Sequence, residues 1–572
     1  MNIDTRMNLY VLVDYNDFFG NHKSYDEAKE LINKISSRNL LEYISLFSVN
    51  LFLNENNENT GKTQFNLVDS LLGKCGKDKQ QQWASTIKKI GEKGHSPIMF
   101  WNYSNLLFQN LILENYNELE YKQLSNIDLF NIFKAYLIIN SLANGRIKIK
   151  KDQITKADEQ NKIEELLIPS LIYQRDYIST LEYTSQLTRG VYFFRYLDSE
   201  KKYQSHIKDY YNSYNLNTYK ELLVSLLVIF TEINIGITDI ERNHILNLKD
   251  SINANFISLK FIEKFCINSE ISNYKYDDSF GFLRRKFLYK ISKYEYLILD
   301  VNFLINQFYS AQVFSFNSYL KNKKYKGNFL SEKGKDFTEE KYLPIIIKSC
   351  FPNYIKFFGT SCINSSNNEL CDVYIRSNNK ICLIEFKDVM LNSVAKNEGN
   401  KEKVFNEFNK KFISNQKGKP KGISQLINAI NDINNNDGVS FDTIIGSQTQ
   451  EIYPIILYTD LSFGTEGINK VFNKKFQEKL KGIKLKNIKI KKIIFINLTF
   501  FENNEDYFNK GLINIFDLID SYIKHIEHPK FTMSTIEVYT QIYMNEKNII
   551  ELGTPSSFNK VQGELIEYLK NI

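Results

Sequence analysis

Cysteine and histidine are both scarce in this 572-residue chain, six of each, and neither forms a cluster. Cys75, Cys266, Cys350, Cys362, Cys371 and Cys382 show no CxxC pair and no zinc-type spacing, which excludes a zinc ribbon or a thioredoxin-like redox motif. Cys350, Cys371 and Cys382 stand in apolar surroundings and read as small core residues. No apolar run approaches the roughly 18 residues that a membrane-spanning helix needs. The first residues, MNIDTRMNLY, lack the apolar centre of a secretory signal. A reduced, bacterial-type cytoplasm is the expected location, with no membrane partner. The charge excess is also small, +7 overall, and does not by itself imply a polyanionic partner.

Aromatic residues, by contrast, are abundant: 36 Tyr and 42 Phe supply ample volume for cores. The length exceeds one compact core, so two or three domains are expected. Residues 1–320 carry long amphipathic segments, Leu106 to Leu119, Asn126 to Ala143 and Tyr219 to Ile235, with core-type spacing. They predict a mainly α-helical region, split in two lobes near the charged stretch Lys148 to Glu165. The polar, lysine-rich Asn322 to Gly334, with two glycines, predicts the boundary between this region and the C-terminal part of the chain. Asp506 to Ile526 predicts an amphipathic helix, opening a C-terminal extension over 501–572. Two lures in the first half carry little. NNENTGKT (Asn56 to Thr63) ends like a phosphate-binding loop, but Asn56 replaces the first glycine, so a solvated turn is the better reading. Leu9 to Phe19 reads as a strand with acids at its end.

The chemistry concentrates between Glu369 and Asp388, ELCDVYIRSNNKICLIEFKD. Two alternating runs flank Asn378-Asn379, which reads as a two-residue hairpin loop because Asn tolerates positive φ. Ser377 then pairs with Lys380, and counting back sets Asp372 opposite Glu385. Glu385 and Lys387 share a face because strand side chains alternate. Two facing carboxylates repel and destabilise a hairpin. A hard divalent cation such as Mg²⁺ removes that repulsion. Two acids and a lysine around such an ion suit phosphodiester hydrolysis.

Asp372, twelve intervening residues, and then Glu385-Phe386-Lys387 resemble the core motif of the PD-(D/E)XK nuclease superfamily, which includes restriction enzymes, repair nucleases and phage-defence effectors. That resemblance implies an α/β core ordered helix, three strands, helix, strand, around a mixed central sheet. Asp336 to Cys350 suits the first helix and Tyr354 to Thr360 the first strand; the hairpin supplies the next two. Gly422 to Asn434 carries a helical stripe at Ile423, Leu426, Ile427 and Ile430. Ile452 to Thr459 and Ile490 to Leu498 read as buried strands, so the core is expected over 330–500.

The resemblance also implies roles. Asp372, Glu385 and the Phe386 backbone carbonyl would hold Mg²⁺ or Mn²⁺, and Lys387 would orient the attacking water. The family often adds a first-helix glutamate, for which Glu339 and Glu340 are candidates; Glu340, with Leu343 three residues on, fits the pattern better. Gln425 matches a glutamine that many members carry on the helix after the lysine. Cys371 replaces the motif proline. No histidine is required, unlike HNH or phospholipase D types.

Two basic stretches fit a nucleic-acid partner, DNA before RNA. Lys470 to Lys492 holds ten lysines against Glu478, and Lys396 to Lys421 leads into the Gln425 helix. The expectation is a metal-dependent endonuclease of prokaryotic restriction or antiviral defence. The helical half would sense a trigger or bind a partner protein, with self-association compatible. The alternatives are a silent nucleic-acid-binding scaffold of the same fold and a recombination or transposition nuclease.

Overall fold

A computed structural model of the chain describes residues 10–54, 60–145, 149, 153–155, 157, 162–172, 177, 182–235, 244–364, 368–435, 439–442 and 449–571. Half of Lys148 to Glu165, Asn56 to Asn59 of the phosphate-loop lure, and residues 1–9 lie outside this set. The chain divides into two compact units. One comprises Met1–Lys148, Tyr177–Leu181 and Lys208–Gln312; the other comprises Ile149–Asp176, Glu182–Ile207 and Val313–Ile572. The second unit therefore recruits Tyr183–Ser199, a helix from the half that the sequence reads as separate.

The first unit is mainly helical, as its amphipathic spacing implies: Asn102–Glu114, Asn126–Gly145 and Tyr219–Ile235 are all helices. It also holds strands too short for alternation to register. Tyr10–Leu12 pairs in parallel with Ser96–Ile98, and Ile245–Asn247, Glu295–Ile298 and Leu288–Lys290 form an antiparallel sheet. The buried Asn140 amide donates to the Val13 and Met99 carbonyls, each at 2.8 Å, and so ties the two parallel strand ends. The acids after Tyr10–Leu12 are helix caps: the Asp14 carboxylate accepts from Asn16 N and Asp17 N.

The second unit is built on a mixed sheet of six strands. In chain order they are β1 (Ile355–Phe358), β2 (Val373–Ser377), β3 (Lys380–Lys387), β4 (Gln450–Tyr458), β5 (Ile488–Ile490) and β6 (Ile494–Asn497). The spatial order is β1-β2-β3-β4, with β5 and β6 both pairing in parallel along the far side of β4. One predicted strand over Ile490 to Leu498 is thus an edge broken at Lys491 to Ile493. The β2–β3 hairpin has the predicted register, Ser377 opposite Lys380 and Val373 opposite Ile384, around Asn378 at φ 55°. β3 lies between β2 and parallel β4, and all but its end residues are buried. That position explains its near-continuous apolar sequence.

Helices cover both faces. Tyr374, Leu383 and Ile456 pack with Phe408 and Phe412 of α1 (Lys401–Phe412), Leu426 and Ile430 of α2 (Ile423–Asn435), and Phe472 of α3 (Ile468–Leu480). Phe412 is central here, with its ring centroid 5.0 Å from that of Phe495. Burial of one such ring is worth about 1.5–3 kcal/mol. On the other face Tyr453 meets Phe516 of Ile515–Glu527 at 4.9 Å. The amphipathic segment expected over Asp506 to Ile526 is two helices, Glu505–Asn509 and Ile515–Glu527, interrupted at Gly511 (φ 68°). No described helix is long and apolar enough to cross a membrane.

Gly422 joins α1 to α2 under two constraints. Its φ is +44°, and an added Cβ would lie 3.1 Å from the Phe412 Cα. Gly418, at φ +75°, faces open space. Alanine at either site costs roughly 1–2 kcal/mol for the left-handed backbone, and at Gly422 alone overpacking adds about 1–2 kcal/mol. Denaturant midpoints should accordingly fall further for Gly422→Ala than for Gly418→Ala; equal shifts would refute the packing argument.

Candidate metal-dependent active site

Three chain segments converge at the end of β3. The first is a π-helical stretch, Lys333–Tyr342, that runs into the α-helix Leu343–Cys350. Pro344 lies in the first turn of that α-helix, where its missing N–H is tolerated. The turn before it is widened, and Leu343 N donates to Thr338 O, five residues back. The stretch is clamped to the sheet by Asp388, the residue after Lys387. Asp388 Oδ2 accepts from Lys333 Nζ at 2.6 Å and from Thr338 Oγ1 at 2.9 Å, while Oδ1 accepts from Thr459 Oγ1 at 2.8 Å. Burial would raise the Asp388 carboxyl, but Lys333 and the two hydroxyls outweigh it and hold it below the usual carboxylate range. The clamp fixes Glu339, the residue after Thr338, toward the strand ends.

The second segment precedes β2. Glu369 sits in an antiparallel bridge with Ile363, and Leu370 N donates to Cys362 O at 2.7 Å. The chain bends at Asp372 before the regular strand begins. The third segment is β3 itself. Phe386 N donates to Asp372 Oδ2 at 2.6 Å. In an extended residue N–H and C=O point to the same neighbouring strand, so the Phe386 carbonyl also leaves on the Asp372 side. Lys387 Nζ bonds Glu385 Oε2 at 2.8 Å, as residues two apart on one strand face can.

Glu339, Glu369 and Asp372 each offer an oxygen within 4.8 Å of the others, the one such acidic or thiol-imidazole group among the described residues. Glu385 adjoins them, 2% exposed. Four carboxylates thus surround the half-buried ammonium of Lys387. Their crowding is legible in the proton affinities. Burial, then the charges of Asp372 and Glu369, push the Glu339 carboxyl up to about 7. Burial raises Glu369, and the Asp372 charge adds to it. Burial likewise raises Asp372, against the pull of Lys387, and drives Glu385 well up with help from Asp372. Burial alone would lower Lys387, but Glu385 and Asp372 outweigh it and keep it firmly protonated. An anionic, oxygen-only donor set that repels itself fits a hard divalent cation and does not by itself select Mg²⁺.

The structure brings Asp372, Glu385 and Lys387 together as their alternation predicts. Of the two helix acids, Glu339 joins the cluster and the preferred Glu340 does not. An α-helical face would admit either acid, three or four residues before Leu343; here Leu343 N bonds Thr338 O and widens the turn that carries both. Gln425 is the third residue of α2, and its Oε1 accepts from Gly422 N at 2.8 Å. That is a helix-capping bond, and Gln425 makes no described contact with the carboxylates. No protein-family model, curated protein or solved structure matches the chain.

No periodicity in the sequence singles out Glu369 or Asp388. Alternation places Glu369 and Asp372, three apart, on opposite faces; the bend at Asp372 breaks that parity. Lys421 lies near enough to Asp372 for its charge to favour the carboxylate. The ten-lysine stretch is partly absorbed by structure. Lys470 pairs with Glu164, Lys489 and Lys491 with Glu451, and Lys492 with Glu527. Lys475 lies over the rings of Phe405 and Phe472.

Two outcomes are expected. Glu339→Gln should weaken Mn²⁺ or Mg²⁺ binding at least tenfold in calorimetric titration, while Glu340→Gln changes it less than about threefold; equal effects would reject the assignment. The second concerns pH. Because the Glu339 carboxyl is raised in the folded chain, its contribution to stability is present below about 4.5 and lost as pH rises through about 7. Cation binding must displace that proton. Affinity should therefore rise between about pH 6 and pH 8, with proton release visible as buffer-dependent heat.

Proposed function

We propose that this chain is a divalent-metal-dependent nuclease with a PD-(D/E)XK type core. The observation that carries the reading is the joining of Glu339, Glu369 and Asp372 within 4.8 Å beside the Glu385–Lys387 pair on the middle strand of a mixed sheet. Support also comes from element order: helix Leu343–Cys350, strands β1, β2 and β3, helix α2, then strand β4. Two further helices, Ser393–Glu398 and Lys401–Phe412, stand between β3 and α2.

Glu339, Glu369 and Asp372 would hold the ion, with the Phe386 carbonyl on the same side and Glu385 adjoining. A divalent cation supplies Lewis-acid polarisation of the phosphoryl oxygen and a lowered pKa for the attacking water. The remaining chemistry belongs to the chain. Lys387, held cationic by its carboxylates, donates hydrogen bonds to the water or to a phosphate oxygen and offsets charge that builds on phosphorus. The Glu385 bond aims Lys387 and limits its rotamers. Asp388 holds Glu339 in place through the Thr338 and Lys333 bonds.

The test is cleavage of plasmid, linear duplex, single-stranded DNA and RNA with Mg²⁺, Mn²⁺ or EDTA. Asp372→Ala and Lys387→Ala should each lower metal-dependent cleavage by at least about 10²-fold. Should the wild type cut nothing, metal titration decides. Binding that requires Asp372 marks an enzyme awaiting a trigger, and no binding overturns the proposal.

A further inference from the structure

The loop between α1 and α2 carries a lysine cluster that leads to the acidic site. From Phe408 to Gln425 the sequence has no Asp or Glu but includes Lys410, Lys411, Lys417, Lys419 and Lys421. An open hollow of about 530 Å³ is lined by the first four of these, with Asn415 and Gln416. Glu407, which also borders it, is engaged by Lys410 at 2.7 Å. Lys411, Lys417, Lys419 and Lys421 make no ion pair among the described residues. Other lysines of this unit do find acids, among them Lys333, Lys401, Lys403, Lys470, Lys489, Lys491 and Lys492, whereas Lys474, Lys479, Lys481, Lys484 and Lys486 make no ion pair among the described residues. What sets this run apart is that four of its lysines open onto one hollow with a single acid, Glu407, on its border.

The loop is built to hold these cations in place. Asn415 N donates to Lys419 O at 3.0 Å, and Asn415 Oδ1 accepts from Lys417 N and Lys419 N, each at 3.0 Å. Lys421 N donates to Ile413 O at 2.9 Å, and Ser414 bridges Pro420. Phe412 anchors one root of the loop in the core, and Gly422 locks the other against it. The backbone is thus fixed while the Lys417 and Lys419 side chains stay exposed. One residue, Pro420, separates Lys419 from Lys421, a span of about 7 Å when extended, and at the next position a Cβ added to Gly422 would lie 3.4 Å from Ile456, the β4 partner of Glu385.

We propose that the 410–421 loop grips the sugar–phosphate backbone of a nucleic-acid strand and leads it past Lys421 to the carboxylate cluster. The proposal rests on the nuclease reading and names its substrate as a polymer carrying several consecutive phosphates. A mononucleotide or a single phosphomonoester would leave most of the cluster unused. Lysine point charges and a loop without aromatic side chains between Ile413 and Lys421 give no means of reading bases, so binding is sequence-independent.

The test uses the full chain carrying Asp372→Ala to stop cleavage, with and without Lys411→Gln, Lys417→Gln and Lys419→Gln together. Anisotropy titrations with labelled duplex DNA, single-stranded DNA and RNA of one length are run over a salt series. A control triple, Lys547→Gln, Lys560→Gln and Lys570→Gln, removes equal charge elsewhere. The loop triple should weaken binding of at least one polymer about tenfold or more and reduce the salt slope by about 2–3, near one for each phosphate no longer neutralised. The control triple should change the slope by less than about one. Unchanged affinity and slope in the loop triple, or equal losses in both triples, would overturn the backbone grip while leaving the nuclease reading intact. If the parent binds none of the polymers the grip is refuted. Wild-type cleavage and metal titration then decide the nuclease reading separately.

Discussion

Like charges held closer than they favour are the constraint around which the second unit is organised. Glu339, Glu369, Asp372 and Glu385 crowd the end of a buried strand with one lysine among them. Burial makes that crowding worse, because each ionised carboxylate loses water as it meets its neighbours. A stable hairpin gains nothing from this arrangement. Its raised proton affinities express the demand for a positive partner, met by protons in the free chain and by a divalent cation in the proposed enzyme.

Holding such a cluster takes rigid support from several directions. The middle strand is fixed between β2 and β4 and covered on both faces. The Asp372 carboxylate is tied to the Phe386 amide, and Lys387 to Glu385. Asp388 is the counterpart of the cluster: a half-buried carboxylate with a lysine and two hydroxyls, satisfied and held ionised. Adjacent residues on one chain thus do opposite things. Asp388 is a finished structural bond that locks the π-helical stretch, and Lys387 faces an unfinished one. Removing one member of a buried pair is costly because it strands the other charge, so Asp388 serves stability and site geometry together.

Much of the second unit was legible in its sequence. Alternation with a two-Asn turn set the hairpin register and placed Glu385 and Lys387 on one face; Asn378 adopts the positive φ that the turn requires. Apolar runs identified β3 and β4, and the stripe over Gly422 to Asn434 identified α2. These features are local, repeating and enforced by burial. Less was legible where regularity breaks. Spacing from Leu343 does not separate Glu339 from Glu340; only the fold shows which of them meets Asp372 and Glu369. Glu369 was passed over because strand parity fails at the Asp372 bend. The lysines of Lys470 to Lys492 read as one basic stretch until folding brings in their acidic partners, which are distant in sequence.

By itself, then, the sequence determined the longer regular elements, their faces, the hairpin register and the residue types available for chemistry, since periodicity and turn preference act within a few residues. Tertiary structure alone decided which acids meet, which lysines are neutralised and which segments belong to one unit. Tyr183–Ser199 joins the second unit from far upstream, and its Arg189 is held by Glu502 at 2.7 Å. Contacts of this kind depend on the closing of long loops and on burial against remote partners. Neither leaves a pattern in the neighbouring residues.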